Sequence, residues 1–176
     1  MNTATLKARL WTLLQPIIGE TVIWADQNAP RPAMPYCTLK LNTIKRKGTP
    51  YYASPDLNGL QDVLTMREAT LQVQRFGDGS VEALETMSDK LSLNSNLDKF
   101  SLQDISAYDV SSVTDVALLL NSLATEPRAS VDISVRWWAD VSDNVGLIET
   151  VISDGTIGPE NTAKDLEYSI STVSVG

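Results

Sequence analysis

From Ala129 to Trp138 apolar and polar residues take strict turns. Ala129, Val131, Ile133, Val135 and Trp137 alternate with Ser130, Asp132, Ser134, Arg136 and Trp138. A period of two fits an extended strand with one buried face, because successive side chains leave a strand on opposite sides. The same alternation recurs twice upstream. Cys37, Leu39 and Leu41 oppose Thr38, Lys40 and Asn42, while Ala69, Leu71 and Val73 oppose Glu68, Thr70, Gln72 and Gln74. These two strands read as one long antiparallel hairpin. Lys45-Arg46-Lys47-Gly48 and then Thr49 to Gly59, rich in Pro, Ser, Asp and Asn, read as its long tip loop.

Half-buried strands need a cover, and helical periodicity supplies it. Leu6, Leu10, Leu13, Leu14, Ile17 and Ile18 share one face of a helix over roughly 3–18, with Thr3 or Thr5 as cap and Gly19 as stop. Thr21 to Ala25 reads as a short strand. Pro30, Pro32 and Pro35 make the next segment a stiff extended crossing. After Gly77-Asp78-Gly79-Ser80, the residues Val81, Leu84, Met87 and Leu91 line a second helix, and Asn94 to Ser101 a weaker third. Ala107 to Val113 reads as a strand, and Asp115 to Ala124 is ambiguous between strand and helix. A Gly-, Pro- and Asn-containing stretch from Asp154 to Thr162 precedes a tail, Tyr168 to Val175, with strand character. The expected class is α+β: a mostly antiparallel sheet flanked by helices, with a long β-hairpin arm. The expected division is a domain over 1–152 and a C-terminal extension over 153–176 that forms strand at an interface.

The chain has 176 residues, 43% of them hydrophobic, which suits one core. It has no His, and Cys37 is its one Cys. That composition removes imidazole ligands, the Cys/His and Ser/His nucleophile systems and any intrachain disulfide. Cys37 reads as a small apolar strand residue. Asp140, Asp143 and Asp154 lack the alternate spacing and central Gly of a calcium loop. Gly77-Asp78-Gly79 is a turn and not a phosphate loop. No catalytic, cofactor or metal constellation emerges. The net charge of −8 argues against wrapping nucleic acid, which needs a basic face. The start of the chain lacks a basic signal-peptide region, and no apolar run reaches membrane length. Synthesis in the cytoplasm with no membrane step is the expectation.

The residues left for function are contact residues. Lys45-Arg46-Lys47 is the one dense basic cluster. It reads either as phosphate contact or as a solvated hairpin arm facing an acidic partner, and the second reading is favoured. Arg67 and Glu68 are adjacent on a strand and point to opposite faces, so they do not form one site; each is a surface or subunit-contact charge. Trp137 and Trp138 also face opposite ways. One belongs to the core, and the other is a candidate for burial by assembly.

Several segments together resemble a known family. They are Val22 to Pro32 running into Pro35 to Leu41, Arg67 to Gly77, Glu126 to Asp132, and Asp143 to Glu149. In this order and spacing they are similar to the neck terminator proteins of tailed bacteriophages, a branch of the tail terminator or tail completion family. The resemblance covers roughly Leu6 to Val151. It implies a compact tail-terminator-like α+β subunit without catalytic activity or cofactor. It further implies a virion protein that forms a homo-oligomeric ring, typically a hexamer, at the neck. Such a ring ends the tail tube, docks to the head-tail connector or adaptor and lets DNA pass through its channel without specific binding. A head-side neck adaptor, a tail tube subunit and a small bacterial enzyme or regulatory module are the competing readings.

Overall fold

The computed structural model describes residues 1–28, 30–121, 124–146, 150–157 and 164–171. They form two compact units, Met1–Tyr51 with Leu64–Asp140, and Tyr52–Val63 with Val141–Gly176.

The first unit is built on a mixed sheet and three helices. Helix α1 (Thr3–Ile18) buries Leu6, Leu10, Leu13, Leu14 and Ile17. Its cap is Asn2, not Thr3 or Thr5: the Asn2 side chain accepts a hydrogen bond from the Thr5 amide at 2.9 Å. Gly19 ends the helix in the left-handed region at φ 76° and donates to the Gln15 carbonyl. Strand β1 (Thr21–Trp24) follows and runs parallel to β2 (Tyr36–Arg46), with Thr21 opposite Tyr36. The proline-rich crossing between them makes this possible, since it returns the chain to the end of β1 where that strand began. This crossing is why the sheet is mixed.

Strand β2 pairs antiparallel with β4 (Leu60–Phe76), and the two-residue β3 (Tyr51–Tyr52) also joins β4. Helices α2 (Ser80–Leu91) and α3 (Asn94–Ser101) come next. Then come β5 (Ile105–Val110), β6 (Thr114–Asp115), β7 (Leu118–Asn121), β8 (Ala124–Glu126) and β9 (Arg128–Asn144). The segment that read ambiguously from Asp115 therefore contains strand, and β7 and β8 pair with each other. In the main sheet the order is β1-β2-β4-β9-β5, with β6 also paired to β9.

One core joins the layers. On β9 the alternating residues Ala129, Val131, Ile133, Val135, Trp137 and Ala139 are all buried. All but Ala139 share a cluster with Cys37, Leu39, Leu71 and Val73 from the sheet and with Leu84, Met87, Leu91 and Phe100 from α2 and α3. Cys37 is fully buried, and that burial pushes its thiol up to about 12, so it is an inert core residue. At one end Arg75 is buried and forks onto Glu20, with Nη2 to Oε1 at 2.7 Å and Nε to Oε2 at 2.9 Å. Its Nη1 also donates to the Asp78 carbonyl. This pair fixes the end of β4 against the start of β1.

In the second unit the described contacts are mainly backbone and polar ones. Asp56 Oδ1 accepts from the Asn58 and Leu60 amides at 2.8 and 2.9 Å, which lowers its pKa and shapes the turn before β4. Gly59 sits at φ 74°, and a Cβ there would lie 2.8 Å from the Gly146 carbonyl carbon. That approach and the positive φ both require glycine. The Val145 amide donates to the Gly59 carbonyl, and Ser142 Oγ donates to Asp62. Within this unit β10 (Thr150–Ile157) and β11 (Lys164–Ser171) pair antiparallel, from Thr150 opposite Ser171 to Ile157 opposite Lys164. The loop expected from Asp154 is instead strand as far as Ile157, and its remainder lies outside the described residues. The expected strand beyond Ser171 lies outside the described residues.

Candidate functional site

With the helices on one side of the sheet, the other face of the hairpin and of β9 is polar and open. Its charged centre is Glu68. A bulge creates that centre. Asn42 pairs with Thr70, but the next register pair is Lys45 with Glu68, so β2 carries one residue more than β4. Thr43 absorbs the bulge at φ 45°. The extra residue reverses the parity of β2, so that Lys45 and not Ile44 stands opposite Glu68.

Around Glu68, Lys45 Nζ lies 2.9 Å from one carboxylate oxygen, and Arg136 Nη2 lies 3.0 Å from the other. Lys47 Nζ is 3.9 Å away. Arg136 stacks over the Tyr108 ring with 4.4 Å to its centroid. Tyr108, then Lys45 and Arg136, stabilise the ionised carboxylate and hold its pKa down at about 2. Glu68 is 7% exposed and its partners are its own chain's cations, so it organises this face from within.

The structure separates the other candidates. Arg46 pairs with Arg67 in register and therefore lies on the opposite side of the hairpin from Lys45 and Glu68. Arg67 acts on the N-terminal ammonium, whose pKa is lowered by burial, then by Arg9 and Arg67. That ammonium is paired with Asp140. Trp137 is 1% exposed and belongs to the core, which withdraws it as a residue for assembly to bury. Trp138 is 43% exposed. It borders a depression of about 350 Å³ together with Met66, Ser106 and Arg136. The open face thus sets an exposed aromatic beside fixed cations, a composition common at the centre of protein interfaces.

Sequence reasoning missed Arg136 and Tyr108 as partners of Glu68. Arg136 was visible as a polar-face residue of its strand, but its distance in sequence from Glu68 hid the contact. It also missed a second cationic cluster at the far end of the hairpin. There Arg31 Nη2 meets Glu126 at 2.7 Å, and Arg31 Nε donates to the Tyr36 hydroxyl at 2.8 Å. Tyr36 and Phe76 stack at 4.8 Å, almost parallel.

Among the described residues no three His, Cys, Asp or Glu side chains converge as a metal site. No described helix is long and apolar enough to cross a membrane. The geometry is that of a contact surface.

Comparison with known proteins agrees with this. Residues 4–161 match the family described as phage neck terminator protein. The match spans most of the chain, and the chain belongs to that family. It is a structural protein of the phage neck. No curated protein matches the sequence.

Proposed function

We propose that this subunit assembles into a closed ring, of six copies, that ends the tail tube and joins it to the head-side connector, with the genome passing through its channel. Membership of the neck terminator family over residues 4–161 is the observation that carries the reading. The net charge of −8 supports it, because an acidic lumen lets DNA slide without binding.

Two surfaces support contact with other subunits or neck proteins. One is the open face with Trp138 and the Glu68 cluster. Here Lys45 and Lys47 are drawn to Glu68, and Arg46 and Arg67 are the charges on the opposite side. The other is the second unit, where Tyr52, Leu57, Leu60, Val141 and Val145 are all exposed. The hairpin end from Lys45 to Gly59, expected as a loop but strand at Lys45–Arg46 and Tyr51–Tyr52, and the C-terminal extension over 153–176 become protected on assembly.

Solution mass of the protein, and negative-stain imaging of it mixed with tail tubes, test the reading. Discrete rings or caps that halt tube growth support it. Long tubes of this protein alone make it a tube subunit, and a monomer that ignores tubes overturns the ring. Limited proteolysis tests the ordered segments: equal cleavage of the Lys45–Gly59 hairpin end in free and assembled protein would remove that part.

A further inference from the structure

The cluster at the far end of the hairpin contains a cation with no ion pair among the described residues, Arg128. A groove of about 370 Å³ opens there between Trp24 and Gln27 on one side and Phe76 and Arg128 on the other. Three charged side chains line it, Arg31, Glu126 and Arg128, which leaves an excess of one positive charge in a chain of net charge −8. Arg31 has a structural task. It pins the proline-rich crossing to Glu126, whose side chain is almost fully buried, and to Tyr36. Arg128 has none of this kind. Its guanidinium lies 5.2 Å from the centroid of the Phe76 ring, and its buried Nε has no hydrogen-bond partner among the described residues. The Phe76 ring holds the guanidinium in place, and Arg128 makes no ion pair among the described residues. A fork of N–H donors held on an aromatic ring is suited to a carboxylate.

The same chain carries a carboxylate surface with the opposite deficit. On α2, Glu82, Glu85 and Asp89 are exposed and spaced three and four residues apart, so they form one stripe. No Lys or Arg stands three or four residues from any of them, and none makes an ion pair among the described residues. Like charges at these spacings repel and weaken a helix until a cation arrives. A closed ring needs two different, complementary patches on each subunit, because its interface is head to tail.

We infer that Arg128 receives a carboxylate of the α2 stripe from the adjacent copy of this chain, so that the groove is one half of the ring contact. The inference rests on the ring reading above and names the surfaces that meet.

The test is a charge-swap series on the full chain, read by native mass and by capping of tail tubes. Arg128→Gln keeps the stem over Phe76 and removes the charge. It should weaken self-association roughly tenfold or more, as expected for loss of a charge-assisted hydrogen bond, while the far-ultraviolet spectrum stays that of the wild type. Arg128→Lys should recover part of the loss, since the charge returns without the fork. Glu85→Lys with Asp89→Lys should also block assembly, and adding Arg128→Glu to that pair should restore it. Glu82 is left in place because it sits in the first turn, where it favours the helix dipole. Wild-type rings with unchanged assembly of Arg128→Gln overturn the inference and spare the ring. Loss with Arg128→Gln but none with the α2 reversals overturns the named occupant. A wild type that never assembles removes the ring and this contact together.

Discussion

The two units of this chain are stabilised in different ways. In the first, leucines of α1, the alternating face of β9 and the inner faces of β2 and β4 close over one apolar cluster. In the second, among residues whose side chains are described, Gly59 alone is buried, and Leu57 is 76% exposed. Its described contacts include backbone hydrogen bonds, the Asp56 turn, the Ser142–Asp62 hydrogen bond and a glycine-to-glycine approach. Exposed apolar residues over a hydrogen-bonded frame cost little in the free subunit and become useful when a partner covers them. The described side chains of the first unit close a core, and those of the second expose apolar surface.

The sharpest way to break this contrast is in the core. Trp137→Ala removes the largest fully buried side chain and should cost about 3–5 kcal/mol, read by chemical denaturation. The same truncation at Tyr52 should change stability by less than about 0.5 kcal/mol. Equal losses at the two sites would erase the distinction.

The ion pair at the end of β4 comes next. Glu20→Ala leaves Arg75 buried without its counter-charge and should cost about 3 kcal/mol, because the remaining cation stays desolvated. A loss near zero would mean that the Asp78 carbonyl satisfies Arg75 unaided.

Glu68 yields a pH dependence with a definite sign. Its folded pKa is about 2, below the ordinary 4.5, so the folded state favours the ionised form. The stabilisation is complete above about 4.5 and is lost as pH falls toward 2. Denaturation curves between pH 5 and pH 2 should therefore fall more steeply for wild type than for Glu68→Gln. Parallel curves would show that the cluster holds no net coupling in solution.

The halves of this picture differed in how legible they were in sequence. Helices α1 and α2 and the buried face of β9 followed from period alone, because apolar residues at three and four or alternating valines have one economical arrangement. The parallel β1–β2 pair was not legible, since strand direction depends on where a proline-rich crossing returns the chain. The bulge at Thr43 carries no Gly to mark it, yet it decides that Lys45 faces Glu68. Contacts such as Arg136 with Glu68 or Arg31 with Glu126 join residues far apart in sequence, and no local pattern encodes them. The adjacent tryptophans were readable as one in and one out, but which was which required the register of β9.

The smallest effects on stability are the most informative about assembly. Reversing all of Lys45-Arg46-Lys47 is a poor probe, because two of the three face Glu68 and a reversed charge there would repel a nearly buried carboxylate. Arg46→Glu avoids this: Arg46 is exposed and makes no ion pair among the described residues. It should leave folding stability within about 0.5 kcal/mol of wild type. Leu57→Ser should behave alike in the second unit. If these surfaces meet partners, both variants will melt like wild type and yet cap tail tubes less completely. Normal capping by both would exclude these two sites from assembly and leave it to the open face and the α2 stripe, and a lowered melting temperature for Arg46→Glu would show that the arginine belongs to the fold.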